Sequence, residues 1–266
     1  MRQAPLVLLH GFTGAPASYG AVRALTGIAD SRVCAPYLPG HGPAWAEASE
    51  FDARDAGRSR FETALDALIG QLQSFAVGPT NPALFVGYSL GARVALSLLV
   101  RYPDWFAGCI LIGVNPGLEQ GSERAMRRRQ DELRAQQLLA EGTERFLKAW
   151  ESEPLFASQR QLTKAVLDEQ ARVRQSHTPE GLAYCLRHLG LAEMPNYWPH
   201  LSRVRLPIHT LVGARDEKFV PIAQRMQSLV PEMTLTVVPR VGHNVVLEAP
   251  QAVASAIERL HQRLAS

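Results

Sequence analysis

The sequence predicts an α/β protein with a mostly parallel sheet, helices on both faces and an inserted helical cap. Six short apolar runs alternate with segments whose apolar residues recur at three- and four-residue spacing, the pattern of strands joined by crossover helices. Between 116 and 200 the alternation lapses and only helical patterns occur, and it resumes at Leu206. Across 266 residues, 46% hydrophobic and 20% charged content is that of a globular chain with apolar surface to bury, which excludes disorder as the default.

The expected strands cover 6–10, 33–37, 83–87, 108–113, 208–213 and 235–238, and the crossover helices 17–26, 58–75, 90–102, 222–229 and 252–264. The cluster Gly78-Pro79-Thr80-Asn81-Pro82 punctuates the approach to the third strand. Helical patterns at 122–140, 145–150, 159–174 and 179–190 make up the insertion. Because strand patterning returns after it, residues 116–200 read as a cap inserted into a core of 1–115 and 201–266, in preference to an independent second domain.

Composition narrows the partners. A net charge of +3 is too small to argue for nucleic acid unless the charge is clustered. Cys34, Cys109 and Cys185 form no CxxC pair and have no histidines at zinc spacing, so they read as reduced packing residues. Met1-Arg2-Gln3-Ala4-Pro5 runs directly into Leu6-Val7-Leu8-Leu9, too short an apolar stretch for a signal peptide, and no segment approaches a membrane span. A soluble, cytoplasmic protein without integral membrane association is expected.

Gly87-Tyr88-Ser89-Leu90-Gly91 matches G-x-S-x-G, directly after an expected strand and directly before an expected helix. Such a string arises by chance and can be a capped helix start; the strand, turn, helix order makes it the nucleophile elbow of an α/β-hydrolase fold. A serine hydroxyl needs an imidazole, itself oriented by a carboxylate. Asp216 follows the fifth strand and His243 the sixth, giving the chain order Ser, Asp, His that this fold uses. Alone, Asp216 would pass for a solvated loop acid beside Glu217, and His243 for a packed histidine; His177, His188, His200 and His261 follow no strand. His10-Gly11-Phe12 follows the first strand, where the fold places a second oxyanion donor, so the backbone N–H groups of Phe12 and Leu90 are the expected pair. Arg93 lies four residues past Ser89, about one helical turn and so on nearly the same face.

Further strings run through most of the chain: His10-Gly11-Phe12-Thr13-Gly14, Leu38-Pro39-Gly40-His41-Gly42, Ala92-Arg93 after the elbow, Asn115-Pro116-Gly117-Leu118, Glu123-Arg124 through Asp131, Trp150 with Pro154-Leu155-Phe156, Pro179-Glu180-Gly181-Leu182-Ala183, Asp216-Glu217-Lys218-Phe219 and Gly242-His243. With them the chain resembles the 2-succinyl-6-hydroxy-2,4-cyclohexadiene-1-carboxylate synthases of menaquinone biosynthesis, lyases built on the α/β-hydrolase fold. It departs from the family at Ala92, where a second glycine is usual, and at Glu193-Met194-Pro195-Asn196-Tyr197-Trp198. The resemblance also implies a shorter sheet, because the chain starts at what is normally the third strand.

The family's reaction removes a ring proton from 2-succinyl-5-enolpyruvyl-6-hydroxy-3-cyclohexene-1-carboxylate and expels pyruvate. The resemblance implies Ser89, activated by His243, as the base, the Phe12 and Leu90 amides as charge stabilisers, and Arg93, Arg127 and Arg174 as partners of a small polycarboxylate substrate. Tyr88 would supply a hydrogen bond and Trp150 an aromatic wall. No cofactor and no metal are expected. Without the resemblance, the run Arg124, Arg127, Arg128, Arg129 reads as a solvated helix face. Two other functions fit the same triad residues: a serine hydrolase acting on an ester or a carbon–carbon bond, and a non-catalytic small-ligand binder.

Overall fold

The apolar runs assemble into one sheet. The computed structural model describes residues 4–43, 45 and 59–265. Strands β1 (Leu6–Leu9), β2 (Val33–Cys34), β3 (Ala83–Tyr88), β4 (Phe106–Ile112), β5 (Ile208–Gly213) and β6 (Met233–Val238) lie in the order β2-β1-β3-β4-β5-β6. Every neighbouring pair is parallel.

Side chains alternate across this sheet, so each strand feeds two cores. Val7, Leu9, Phe85, Cys109 and Leu111 face one side, with α2 (Arg60–Ser74), α3 (Leu90–Arg101) and α7 (Phe219–Leu229). Leu6, Leu8, Leu84, Val86, Ile110 and Ile112 face the other, with α1 (Gly20–Thr26), α8 (Val245–Glu248) and α9 (Pro250–Ala265). Burial on both faces is why the strands read as unbroken apolar runs. The chain leaves β1 for the edge strand β2 and returns to β3 on the other side of β1. That reversal opens a crevice beyond the carboxyl ends of β1 and β3, the place where open parallel sheets take ligands.

Between β4 and β5 the chain passes through α4 (Gly121–Glu151), a 3-10 segment (Pro154–Gln161), α5 (Lys164–Gln175), α6 (Pro179–His188) and a second 3-10 segment (Trp198–Arg203). Ala135, Leu138, Phe146, Leu147, Leu182 and Leu186 form a third apolar cluster, and Phe12 from the loop after β1 packs against it.

Several expected boundaries move. The second strand stops at Cys34 instead of residue 37, since Pro36 has no N–H to give a ladder. The helix expected at 159–174 is split by extended backbone at Leu162 and Thr163. The helices expected at 122–140 and 145–150 join, interrupted only at Gly142, whose φ is +78°. The expected start of the second crossover helix at Arg58 lies outside the described residues.

The elbow glycines have a steric cause. A Cβ on Gly91 would stand 2.0 Å from the Leu9 carbonyl oxygen, and one on Gly87 2.4 Å from the Gly91 carbonyl oxygen. Both obstacles are backbone, which cannot rotate away. Gly91→Ala is therefore expected to lower the unfolding free energy by about 2–3 kcal/mol, read as a lower urea midpoint; an unchanged midpoint would contradict this packing.

Candidate active site

The three strand-end residues meet in space. Ser89, between β3 and α3, has φ +51° and ψ −105°, a strained backbone for a side-chain-bearing residue. Its N–H continues the sheet by donating to Ile112 O at 2.8 Å, while its own carbonyl accepts the Arg93 N–H at 3.0 Å. The turn is thus held from both sides and projects the hydroxyl beyond the sheet.

The loops after β5 and β6 are sewn together by Ala214 N–H to Val238 O and Arg215 N–H to Val241 O, both 2.9 Å. A Cβ on Gly213 would lie 2.1 Å from the Gly242 carbonyl, so the two loops touch as closely as backbones can. This contact delivers Asp216 to His243: Asp216 Oδ2 lies 2.6 Å from His243 Nδ1, and His243 Nε2 lies 3.0 Å from Ser89 Oγ. Asp216 and His243 are buried. Gly113, with φ +59°, makes room for the imidazole, because a Cβ there would stand 2.7 Å from His243 Cε1.

Phe12 lies in the loop after β1 and Leu90 opens α3. Among the described residues neither backbone N–H is engaged in a hydrogen bond. Every residue named from the sequence as catalytic, oxyanion or substrate-binding lines one cavity of about 1040 Å³ above the sheet.

The arginines differ in how they are held. Arg93 donates to Leu189 O at 2.8 Å and lies 5.9 Å from the Phe61 ring centre. It makes no ion pair among the described residues, and desolvation, with Arg127 nearby, pushes its pKa down to about 10 against the weaker opposing charge of Asp131. Arg127 is chelated by Asp131 through bonds of 2.9 and 2.8 Å, and Arg174 donates to Glu151 at 2.8 Å. Trp150 is the expected aromatic wall, 5.3 Å from the Phe12 ring and 5.5 Å from Phe156. Tyr88 packs 5.4 Å from the His243 ring, and burial pushes its phenol up, which keeps the hydroxyl a donor.

Arg134 and Lys218 also line the cavity; the sequence assigns a role to neither, although Lys218 stands in the string Asp216-Glu217-Lys218-Phe219. Arg134 donates to Glu153 at 2.9 Å and stacks 5.2 Å over Trp150. It stands seven residues past Arg127, two helical turns along one face, a spacing that points to the cavity only once Arg127 is known to face it.

Behind Phe12 stands a row of buried histidines. His10, His41 and His177 pack edge to face, with centroid separations of 4.8 and 5.2 Å. Burial lowers all three, His10 to about 3. Between that value and the ordinary value near 6.5, the unfolded chain binds protons that the folded chain refuses, so stability falls as pH drops through the window. The unfolding free energy is expected to lose about 2 kcal/mol between pH 7 and pH 5 from His10 alone. Urea unfolding at the two pH values checks it; equal free energies would contradict a neutral His10.

Among the described residues, no group of three or more His, Cys, Asp or Glu side chains could hold a metal ion, and no helix is long and apolar enough to cross a membrane.

Residues 6–256 match the model of the alpha/beta hydrolase family. The 2-succinyl-6-hydroxy-2,4-cyclohexadiene-1-carboxylate synthase of Shigella sonnei is 31% identical over 255 residues, covering 96% of this chain and 92% of that protein. The Enterobacter sp. protein of the same name is 29% identical over 255 residues, covering 96% and 90%. The structure of MenH from S. aureus superposes with a TM-score of 0.87 at 28% identity, covering 100% of this chain and 96% of that one. A six-stranded parallel sheet, strand-end residues that converge on one cavity, and relatives similar along nearly their whole length lead to one conclusion: the chain belongs to the alpha/beta hydrolase family and, within it, to the 2-succinyl-6-hydroxy-2,4-cyclohexadiene-1-carboxylate synthases.

Proposed function

We propose that this enzyme is a carbon–oxygen lyase that eliminates pyruvate from 2-succinyl-5-enolpyruvyl-6-hydroxy-3-cyclohexene-1-carboxylate in menaquinone biosynthesis, acting in the cytoplasm. The observation that carries the reading is the pairing of a serine–imidazole–carboxylate chain with a partly buried Arg93 that makes no ion pair among the described residues, in the same cavity. A guanidinium drawn out of water without an ion pair of its own is costly in proportion to its burial, and a substrate carboxylate would relieve that cost. The names of the relatives supply the particular polycarboxylate.

In this mechanism His243, oriented by Asp216, accepts the Ser89 proton as Ser89 takes the ring proton. The C2–H electron pair becomes the C2–C3 double bond, the existing C3–C4 double bond moves to C4–C5, the C5–O bond to the enolpyruvyl group breaks, and the departing enolate takes up one proton on carbon, equivalent to the one removed from the ring, to give pyruvate. Atoms balance without water or an oxidant. Charge that develops on the succinyl carbonyl oxygen, which is conjugated with the deprotonated ring carbon, is taken by the Phe12 and Leu90 N–H groups, and Arg93, Arg127 and Arg174 orient the acid groups. Tyr88 and Trp150 shape the site, and residues 116–200 act as its cap.

The same serine–imidazole geometry also suits acyl transfer, so serine hydrolysis is the second reading. Pyruvate release followed with lactate dehydrogenase and NADH separates the two. Rapid release above the spontaneous rate is the expected result. No release, with burst hydrolysis of p-nitrophenyl acetate, would replace the lyase with a hydrolase.

A further inference from the structure

Phe12 joins the sheet to the inserted segment, and its backbone is fixed from behind. The carbonyl of Gly11, in the same peptide plane as the Phe12 N–H, accepts from Gly14 N–H at 3.0 Å and faces His10 Nδ1 at 2.8 Å. A trans peptide held at its oxygen must point its N–H the opposite way. The next residue, Thr13, is buried and has φ +62°, a conformation that a β-branched residue keeps only where its surroundings over-determine it.

Two hydrogen bonds do this. The Thr13 hydroxyl donates to Phe12 O at 2.6 Å, and the Thr13 N–H donates to His41 Nε2 at 3.1 Å. His41 Nδ1 faces Pro39 O at 3.3 Å, so its proton belongs on Nδ1 and leaves Nε2 as the acceptor. His41 is itself braced by His177, which comes from the inserted segment just before α6. His177 packs edge to face on His41, and its Nδ1 accepts the Gly42 N–H at 3.0 Å. The loop after β2 is therefore tied to the inserted segment on one side and to the loop after β1 on the other.

We propose that His41 is a positioning residue that, by fixing the Phe12–Thr13 peptide, keeps the adjoining Gly11–Phe12 peptide and its N–H in the charge-stabilising orientation, and that His177 is the strut by which the inserted segment sets His41. The inference rests on the reading of Phe12 as an oxyanion donor. It explains three buried rings that the reaction itself does not use. It also gives the inserted segment a part in aiming the Phe12 amide, in addition to forming a wall of the cavity.

The test compares His41→Leu, His41→Gln and His177→Phe with wild type. It measures kcat and KM for pyruvate release and for p-nitrophenyl acetate hydrolysis, together with hydrogen exchange at the Thr13 amide. Losing the aim of one oxyanion donor should lower kcat about 10- to 100-fold, with KM within about twofold. The expected pattern is such a loss in His41→Leu with faster Thr13 exchange, recovery of most of it in His41→Gln, whose side-chain oxygen can still accept, and a severalfold loss in His177→Phe, which keeps a ring but no acceptor. Wild-type kcat in His41→Leu, a loss that His41→Gln does not recover, or unchanged Thr13 exchange would overturn the proposal. Should His41→Leu fail to fold, unchanged kcat in His177→Phe overturns it instead. Wild type that hydrolyses the ester but releases no pyruvate removes the lyase reading alone, and the variant ratios on the ester then decide the role of His41.

Discussion

Ser89→Ala is expected to release pyruvate about 10⁴-fold more slowly than wild type, the scale on which removal of one member of a serine–histidine–acid unit acts. The loss should fall on kcat, because the hydroxyl is small and the groups proposed to hold substrate remain. Alanine also lacks a β-branch, so it tolerates the φ of +51° no worse than serine, and the unfolding midpoint should stay near that of wild type. Single-turnover pyruvate release, corrected for spontaneous elimination, is the measurement. Turnover at the wild-type rate would remove Ser89 from the mechanism and leave His243 as the base acting directly.

Arg93→Ala carries the next largest effect, a fall in kcat/KM of about 10²- to 10³-fold, or about 3–4 kcal/mol. The size follows from the way the cavity's cations are paired. Arg127 and Arg174 already hold Asp131 and Glu151, so a substrate carboxylate exchanges one anion for another there. At Arg93 it meets a partly buried cation that makes no ion pair and whose one hydrogen bond among the described residues is to a carbonyl. The Ala variants at 127 and 174 should therefore lose less than the one at 93. A reversed order in their kcat/KM values would contradict this view of the site.

The parts of the site that were legible in the sequence are those fixed by backbone topology. In a parallel sheet every strand ends at the same edge, so the residues that follow β3, β5 and β6 must lie near one another, and Ser89, Asp216 and His243 could be chosen by position alone. Arg93 was legible for a similar reason, one turn into a helix whose start is fixed. Arg134 and Lys218 were not. Whether a polar residue on α4 meets the cavity depends on how that helix rolls against α6, and a loop lysine has no periodicity to read. His177 was passed over because it follows no strand; its partner Gly42 is 135 residues away. The second strand is shorter than its apolar composition suggests because Pro36 lacks an N–H, and the helix expected at 159–174 is split because apolar spacing does not register the extended backbone at Leu162 and Thr163.

The three cysteines offer a way to watch this molecule open. Cys34 lies in β2, Cys109 in β4 and Cys185 in α6, and none forms a disulfide. Burial pushes the Cys34 thiol up to about 12 and the other two higher still, so in the native state none presents the thiolate that alkylating reagents attack. Each can be labelled only when its own surroundings part. Pulse alkylation read peptide by peptide would thus turn three silent side chains into separate clocks, one at the sheet edge, one at its centre and one in the segment between β4 and β5.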